Sequence, residues 1–201
     1  MSPARPTRPS SRRHKCGAAE VDRSARKIMN EEIIITYPRK WEDEYRETRF
    51  VSLWRHGYPA MFANYRGSAN PGTLDLFPQY ALMFLLRRDH NIHSLTWFKL
   101  AGKNDLSKVP EKIRKRWHTI SKHMGRTTFN RLQAALRKAG FREFKGEPDL
   151  FCWHPEAGNW FFAEAKGKDN VTDSEREWCR IYRDALGDEI DIRVYRLRPK
   201  P

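Results

Sequence analysis

Two acids and a lysine, Asp149, Glu164 and Lys166, stand where they could act on one centre. Glu164 and Lys166 stand two apart in the run WFFAEAK, so in a strand they project from one face while Ala165 turns to the other. Residues 160–163 are almost continuously apolar, as in strands covered on both faces. Charges at the end of such a strand are costly unless something compensates them. Asp149 opens the preceding apolar run DLFCW, and the loop HPEAGN between the two runs predicts a hairpin. Antiparallel pairing then brings the Asp149 carboxylate close to that of Glu164. Two carboxylates forced together repel, and shift each other's titration, unless a divalent cation lies between them. Hard oxygen ligands favour Mg2+ or Mn2+, with the Ala165 carbonyl as a third oxygen. The Lys166 ammonium can steer or deprotonate a water aimed at phosphorus. The set suits phosphodiester hydrolysis.

Gly146-Glu147-Pro148-Asp149-Leu150, Trp153, Phe162-Ala163-Glu164-Ala165-Lys166-Gly167 and Trp178 on the following helix together resemble the VRR-NUC branch of the PD-(D/E)xK nucleases, which includes the Fanconi-associated nuclease. The similarity covers roughly residues 140–197. It implies an α/β fold with a restriction-endonuclease-like core, a mixed β-sheet flanked by helices, here with an additional helical N-terminal part. It also implies Asp149 and Glu164 as metal ligands, Lys166 as the catalytic lysine, and a metal-dependent DNA endonuclease, several members of the family acting on branched DNA. Two departures stand out. Glu175 occupies the helix where such sequences usually carry Gln, and the loop after Gly167 is one residue shorter, so Glu175 is read as a helix cap. The family also places an acid on a helix upstream of the Pro-Asp strand. Residues 128–139, the nearest predicted helix, offer Asn130 and Gln133 but no carboxylate. Glu47 lies four and seven residues before Val51 and Trp54 in a helix predicted over 41–56, which turns it toward the apolar side and makes it the candidate fourth metal ligand.

The positioning elements follow from period and punctuation. Residues 31–37 (EEIIITY) predict a strand closed by Pro38, and residues 66–72 a loop. Helices are expected over 77–88, 110–124 and 128–139, with a strand over 94–100 between the first two. Strands 149–153 and 160–165 form the hairpin. The pattern Thr172-Asp173-Ser174-Glu175 is a capping box that starts a helix ending near Leu186, and a last strand spans 190–197. Trp153, Trp178, Cys152 and Cys179 read as core packing. His118 and His123, five apart, do not share a helical face and make no zinc pair.

The chain has 201 residues, 39 Lys or Arg and 25 Asp or Glu, a net charge of +14, which points to a polyanion as partner, DNA first. Residues 101–146 hold thirteen of the bases against Asp105, Glu111 and Glu143, a surface suited to a phosphate backbone, with Lys145 and Lys168 flanking the motif most closely. Residues 1–28 read as a flexible basic arm and 29–201 as the nuclease domain, its motif-bearing core at about 126–197. Three cysteines at no framework spacing suit a reducing compartment, the cytoplasm or wherever the DNA lies. The most apolar run is far short of the roughly 20 residues that span a bilayer, so no membrane partner is expected. One site in so small a chain implies a homodimer if both strands are cut together. A non-catalytic nucleic-acid-binding protein of nuclease fold and an RNA nuclease are the alternatives. The intact trio argues against the first, and chemistry at phosphorus leaves the second open.

Overall fold

The computed structural model describes residues 32–63, 65, 67, 70, 72–100, 109–140, 146–187 and 190–201. The basic arm and Lys145 lie outside the described residues.

Five strands form one mixed sheet in the order β1-β5-β4-β3-β2: β1 (Glu32–Tyr37), β2 (His93–Thr96), β3 (Leu150–Trp153), β4 (Trp160–Lys166) and β5 (Ile192–Pro199). β2, β3 and β4 pair antiparallel, whereas β4 and β5, and β5 and β1, pair parallel. The parallel step from β4 to β5 needs a crossover, which α7 (Asp173–Leu186) supplies. α1 (Lys40–Thr48), α2 (Ser52–Gly57), α3 (Pro59–Phe62) and α4 (Phe77–His90) belong to the upstream half, and α5 (Glu111–Met124) and α6 (Arg126–Lys138) to the middle.

The alternation of β4 divides the interior. Phe161, Ala163 and Ala165 pack into a core with Trp41, Tyr45, Trp54, Phe77 and Phe84 of α1, α2 and α4. Phe162 packs on the opposite face, with Trp117, Leu132, Trp178 and Tyr182 of α5, α6 and α7. Both faces of the sheet are covered, as the unbroken apolar run requires. By the same alternation Glu164 and Lys166 turn to the side of α5, α6 and α7. Both are buried, at 5% and 3% exposure. Cys152, Cys179 and Trp178 are core residues, and burial pushes both thiols up, Cys179 to about 12, so neither is a nucleophile.

The helix expected over 41–56 is two helices. Trp41 and Tyr45 set the inward stripe of α1, but Phe50, Val51 and Trp54 are also buried and are out of phase with it at 3.6 residues per turn. The chain resolves the conflict by stopping. Arg49 enters the left-handed region at φ 63°, the Thr48 hydroxyl bonds to the Phe50 backbone, and α2 restarts with the Glu44 carboxylate accepting the Ser52 N–H at 2.7 Å. Hydroxyl competition for the backbone is what makes Thr a natural stopping point. The strand expected over 94–100 also stops early, at Thr96. Its continuation is taken up by α5, whose Trp117 Nε1 donates to the Phe98 carbonyl at 2.7 Å.

Gly146 shows why a glycine precedes the Pro-Asp turn. Its φ is 87°, and a Cβ there would lie 2.6 Å from the Ser174 backbone in the first turn of α7. The turn before β3 and the start of α7 therefore touch main chain to main chain. Gly146→Ala should cost about 1–2 kcal/mol for the left-handed backbone alone, lowering Tm by about 4 °C, with the clash adding to that. A thermal melt with an unchanged Tm would show that this approach is not close in solution.

Candidate active site

The register of the hairpin pairs Leu150 with Ala163, so one step further Asp149 stands opposite Glu164, on the face that also carries Lys166. The sheet brings the trio together. The Asp149 carboxylate is fixed by the Ala165 N–H, which donates to Oδ2 at 2.9 Å. Glu164 Oε1 lies 2.8 Å from Lys166 Nζ. The ammonium also meets Glu175 Oε1 at 2.8 Å and Asp169 Oδ2 at 3.3 Å.

Burial is the largest single influence on Asp149, Glu164 and Lys166. It pushes Asp149 up to about 6, against the downward pull of the Ala165 N–H and the Lys166 charge. It also raises Glu164 well above the usual carboxylate range, and the neighbouring Asp149 raises it further. Two carboxyls in this position are short of positive charge. Burial alone would lower Lys166, but the Glu164 and Glu175 carboxylates overcome it and hold the ammonium above its ordinary value. Lys166 is therefore a fixed cation. It can orient a water or stabilise developing negative charge, whereas proton abstraction would require it to give up its ion pairs with Glu164, Glu175 and Asp169 first.

Four residues that do site work escaped the sequence reading or were only half seen by it. Glu175 is a cap, since its Oε2 accepts the Thr172 N–H at 2.8 Å and the full capping box is present. Its other oxygen holds Lys166, so it belongs to the site as well, a correction to its reading as a cap alone. Gln79 of α4 is buried and donates to the Thr96 hydroxyl and, at 3.0 Å, to the Asp149 carbonyl. The signal for it was present: Gln79 is the sole polar side chain in the run FPQYALMFLL apart from the Tyr80 hydroxyl, and buried polar groups are almost always bonded. Arg196 pairs in register with Lys166, donates to the Gly167 carbonyl at 2.9 Å and grips Glu32 at 2.5 Å, pinning the loop that follows the lysine. Glu147 accepts the Leu100 N–H at 2.5 Å and so ties the Pro-Asp turn to the segment after β2.

Glu47 does not face inward. It is exposed, because the break at Arg49 separates it from Val51 and Trp54. The upstream helix that reaches Asp149 is α4, and it presents an amide. Lys168 is exposed in the loop after Gly167, where it can meet solvent or a phosphate. His123 stacks on Trp153 with centroids 4.7 Å apart, in keeping with a packing role. Gln79→Leu should leave the Thr96 hydroxyl and the Asp149 carbonyl without a donor in a buried setting, costing about 1–3 kcal/mol. Chemical denaturation would read this as a lower midpoint at unchanged slope, and an unchanged midpoint would mean that water replaces the amide.

Among the described residues no group of three or more His, Cys, Asp or Glu side chains gathers in metal-binding geometry. The acids that meet across the hairpin are two, Asp149 and Glu164. That number fits Mg2+, which is commonly held by one or two carboxylates with waters and substrate phosphate completing its shell, and the Ala165 carbonyl could add to it. No helix among the described residues is long and apolar enough to cross a membrane. The chain matches no family model, no curated protein and no solved structure. The functional reading therefore rests on the site itself.

Proposed function

We propose that the protein is a metal-dependent DNA endonuclease, selective for branched or locally unpaired DNA, that works in the reducing compartment where that DNA lies. The observation that carries this reading is the pair of desolvated carboxyls, Asp149 and Glu164, facing each other beside a buried lysine that is held as a cation. A mixed sheet between helices is what a restriction-endonuclease-like core would require, and the motif residues fall on its central strands. When bound by Asp149 and Glu164, a divalent cation supplies Lewis acidity at a phosphoryl oxygen and a water of lowered pKa. Lys166, anchored by Glu164 and Glu175, holds positive charge beside the phosphate. The Ala165 N–H and Gln79 fix the side chain and main chain of Asp149, so its carboxylate is aimed before substrate arrives. Exposed bases on the same side of the sheet, among them Lys112, Lys115, Lys122, Arg126 and Arg131 of α5 and α6, can take a phosphate backbone.

The test is incubation of the purified protein with labelled single-stranded, duplex, flap and four-way-junction DNA, and with labelled RNA beside these four, in Mg2+, Mn2+ or EDTA. Cleavage in either metal and none in EDTA is expected. Cleavage of RNA in preference to all four would redirect the reading to an RNA nuclease, and binding without any cleavage would make the protein a binder of nuclease fold.

A further inference from the structure

Beside β2 lies a cavity of ≈ 880 Å³ whose lining includes Tyr65, Tyr80, Trp97, Lys112, Lys115 and Arg116. Its volume is within the range of pockets that enclose most of a small organic ligand. Its chemistry is aromatic and cationic together. The one acid at its edge, Glu111, is engaged by Arg114 at 2.6 Å. Lys112 and Lys115 are exposed and form no ion pair among the described residues.

Trp97 gives the cavity its direction. It is 48% exposed and sits in the left-handed region at φ 57°, a conformation that a bulky aromatic adopts at a cost. The backbone around it is held from both sides. Arg116 Nη1 donates to the Trp97 carbonyl at 2.9 Å, the adjacent Trp117 holds the Phe98 carbonyl, and Glu147 holds Leu100. Arg116 also bonds Tyr65, which reaches the Thr96 backbone. An indole kept in strained backbone while half in water is not there for the core. The same framework leads to the catalytic strands. Trp97 follows Thr96, which pairs with Leu150, and Gln79 joins Thr96 to Asp149.

From this placement we infer that the cavity takes an unpaired nucleotide next to the scissile phosphate, its base stacked on Trp97 and its phosphates on Lys112 and Lys115. Stacking on an aromatic face is open to any base, and cations along the groove follow the backbone, so the pocket selects for an unpaired strand and not for sequence. Paired bases are stacked within the duplex and are not presented to the indole. The inference rests on the nuclease reading for its substrate, and binding tests it separately from chemistry.

The experiment uses the full chain in EDTA, so that nothing is cut, with a fluorescein-labelled single-stranded DNA and a blunt duplex of the same length followed by anisotropy. Trp97→Ala should weaken single-strand binding at least tenfold, about 1.4 kcal/mol, and change duplex binding less than twofold. Trp97→Phe keeps a ring and should retain most of the single-strand affinity, which separates stacking from a folding defect. Lys112→Ala with Lys115→Ala should weaken both ligands and flatten the salt dependence of each by about 0.7–0.9 for every phosphate the protein no longer neutralises. Single-strand binding by Trp97→Ala at wild-type strength, or an equal weakening for both ligands, would overturn the inference while leaving the nuclease reading intact. A wild-type protein that binds neither DNA would overturn both.

Discussion

Asp149→Asn, Glu164→Gln and Lys166→Ala should each slow cleavage by on the order of a thousandfold or more, about 4 kcal/mol of transition-state stabilisation, while DNA binding survives. Asn at 149 can still accept the Ala165 N–H that now reaches Oδ2, and Gln at 164 keeps the shape of the buried Glu164, so both remove charge without opening a cavity. Lys166→Ala is harsher. It strips Glu164 and Glu175 of their shared cation, and breaking a buried pair from one side costs about 3–5 kcal/mol, so its rate must be read below its lowered melting temperature. Binding should persist in all three because the exposed bases of α5 and α6 lie outside the trio. The decisive comparison is single-turnover cleavage at saturating protein. Wild-type rates from Glu164→Gln, purified away from any wild type, would remove Glu164 from the chemistry.

Without metal, the protein should lose stability as pH rises from about 4 to 7, and Asp149→Asn should lose less, Glu164 being the buried carboxyl that remains. The sign follows from the direction of the shift. Burial holds the Asp149 carboxyl at about 6 against an ordinary 3.8, so the folded state prefers the neutral acid. Its contribution is complete below pH 3.8 and is lost as pH climbs through 6. The difference corresponds to about 3 kcal/mol, or roughly 6 °C or more in Tm for a chain of this size. Glu32, Asp89 and Glu177 are lowered by Arg196, Arg88 and Arg180, so they gain stability as pH rises. For that reason the measured quantity is the gap between wild type and Asp149→Asn. In EDTA the gap should open toward neutral pH with the variant the more stable protein. Mg2+ should close it by stabilising the wild type alone. Parallel Tm curves in EDTA would mean that water reaches Asp149 freely.

The hairpin and its carboxylates were legible in the sequence because a strand's period of two leaves little choice. Once 149–153 and 160–165 are strands joined by HPEAGN, Asp149 and Glu164 meet on one face. The capping box was legible for a similar reason, being a local exchange of hydrogen bonds within four residues. Glu175's second role was not, because it depends on the start of α7 lying against the end of β4, a tertiary fact. Glu47 was misplaced because Val51 and Trp54 were taken as its stripe while Trp41 and Tyr45, which point elsewhere on a continuous helix, were not weighed against them. With both sets counted, Phe50, Val51 and Trp54 are out of phase with Trp41 and Tyr45 and the helix must break. Gln79 lay in plain view as a polar residue in an apolar run, but its partners, Thr96 and Asp149, are 17 and 70 residues away. Periodicity says that such a residue needs a partner and not which one.

If Asp149 and Glu164 together hold a divalent cation, Mn2+ binding followed by electron paramagnetic resonance will report it. Titrated at neutral pH without DNA, the wild type should remove free Mn2+ from solution at a site that is lost in the Asp149→Asn, Glu164→Gln double variant, and the same variant should be inactive in cleavage. Equal Mn2+ uptake by the two proteins would place the metal elsewhere and take Asp149 and Glu164 out of its coordination.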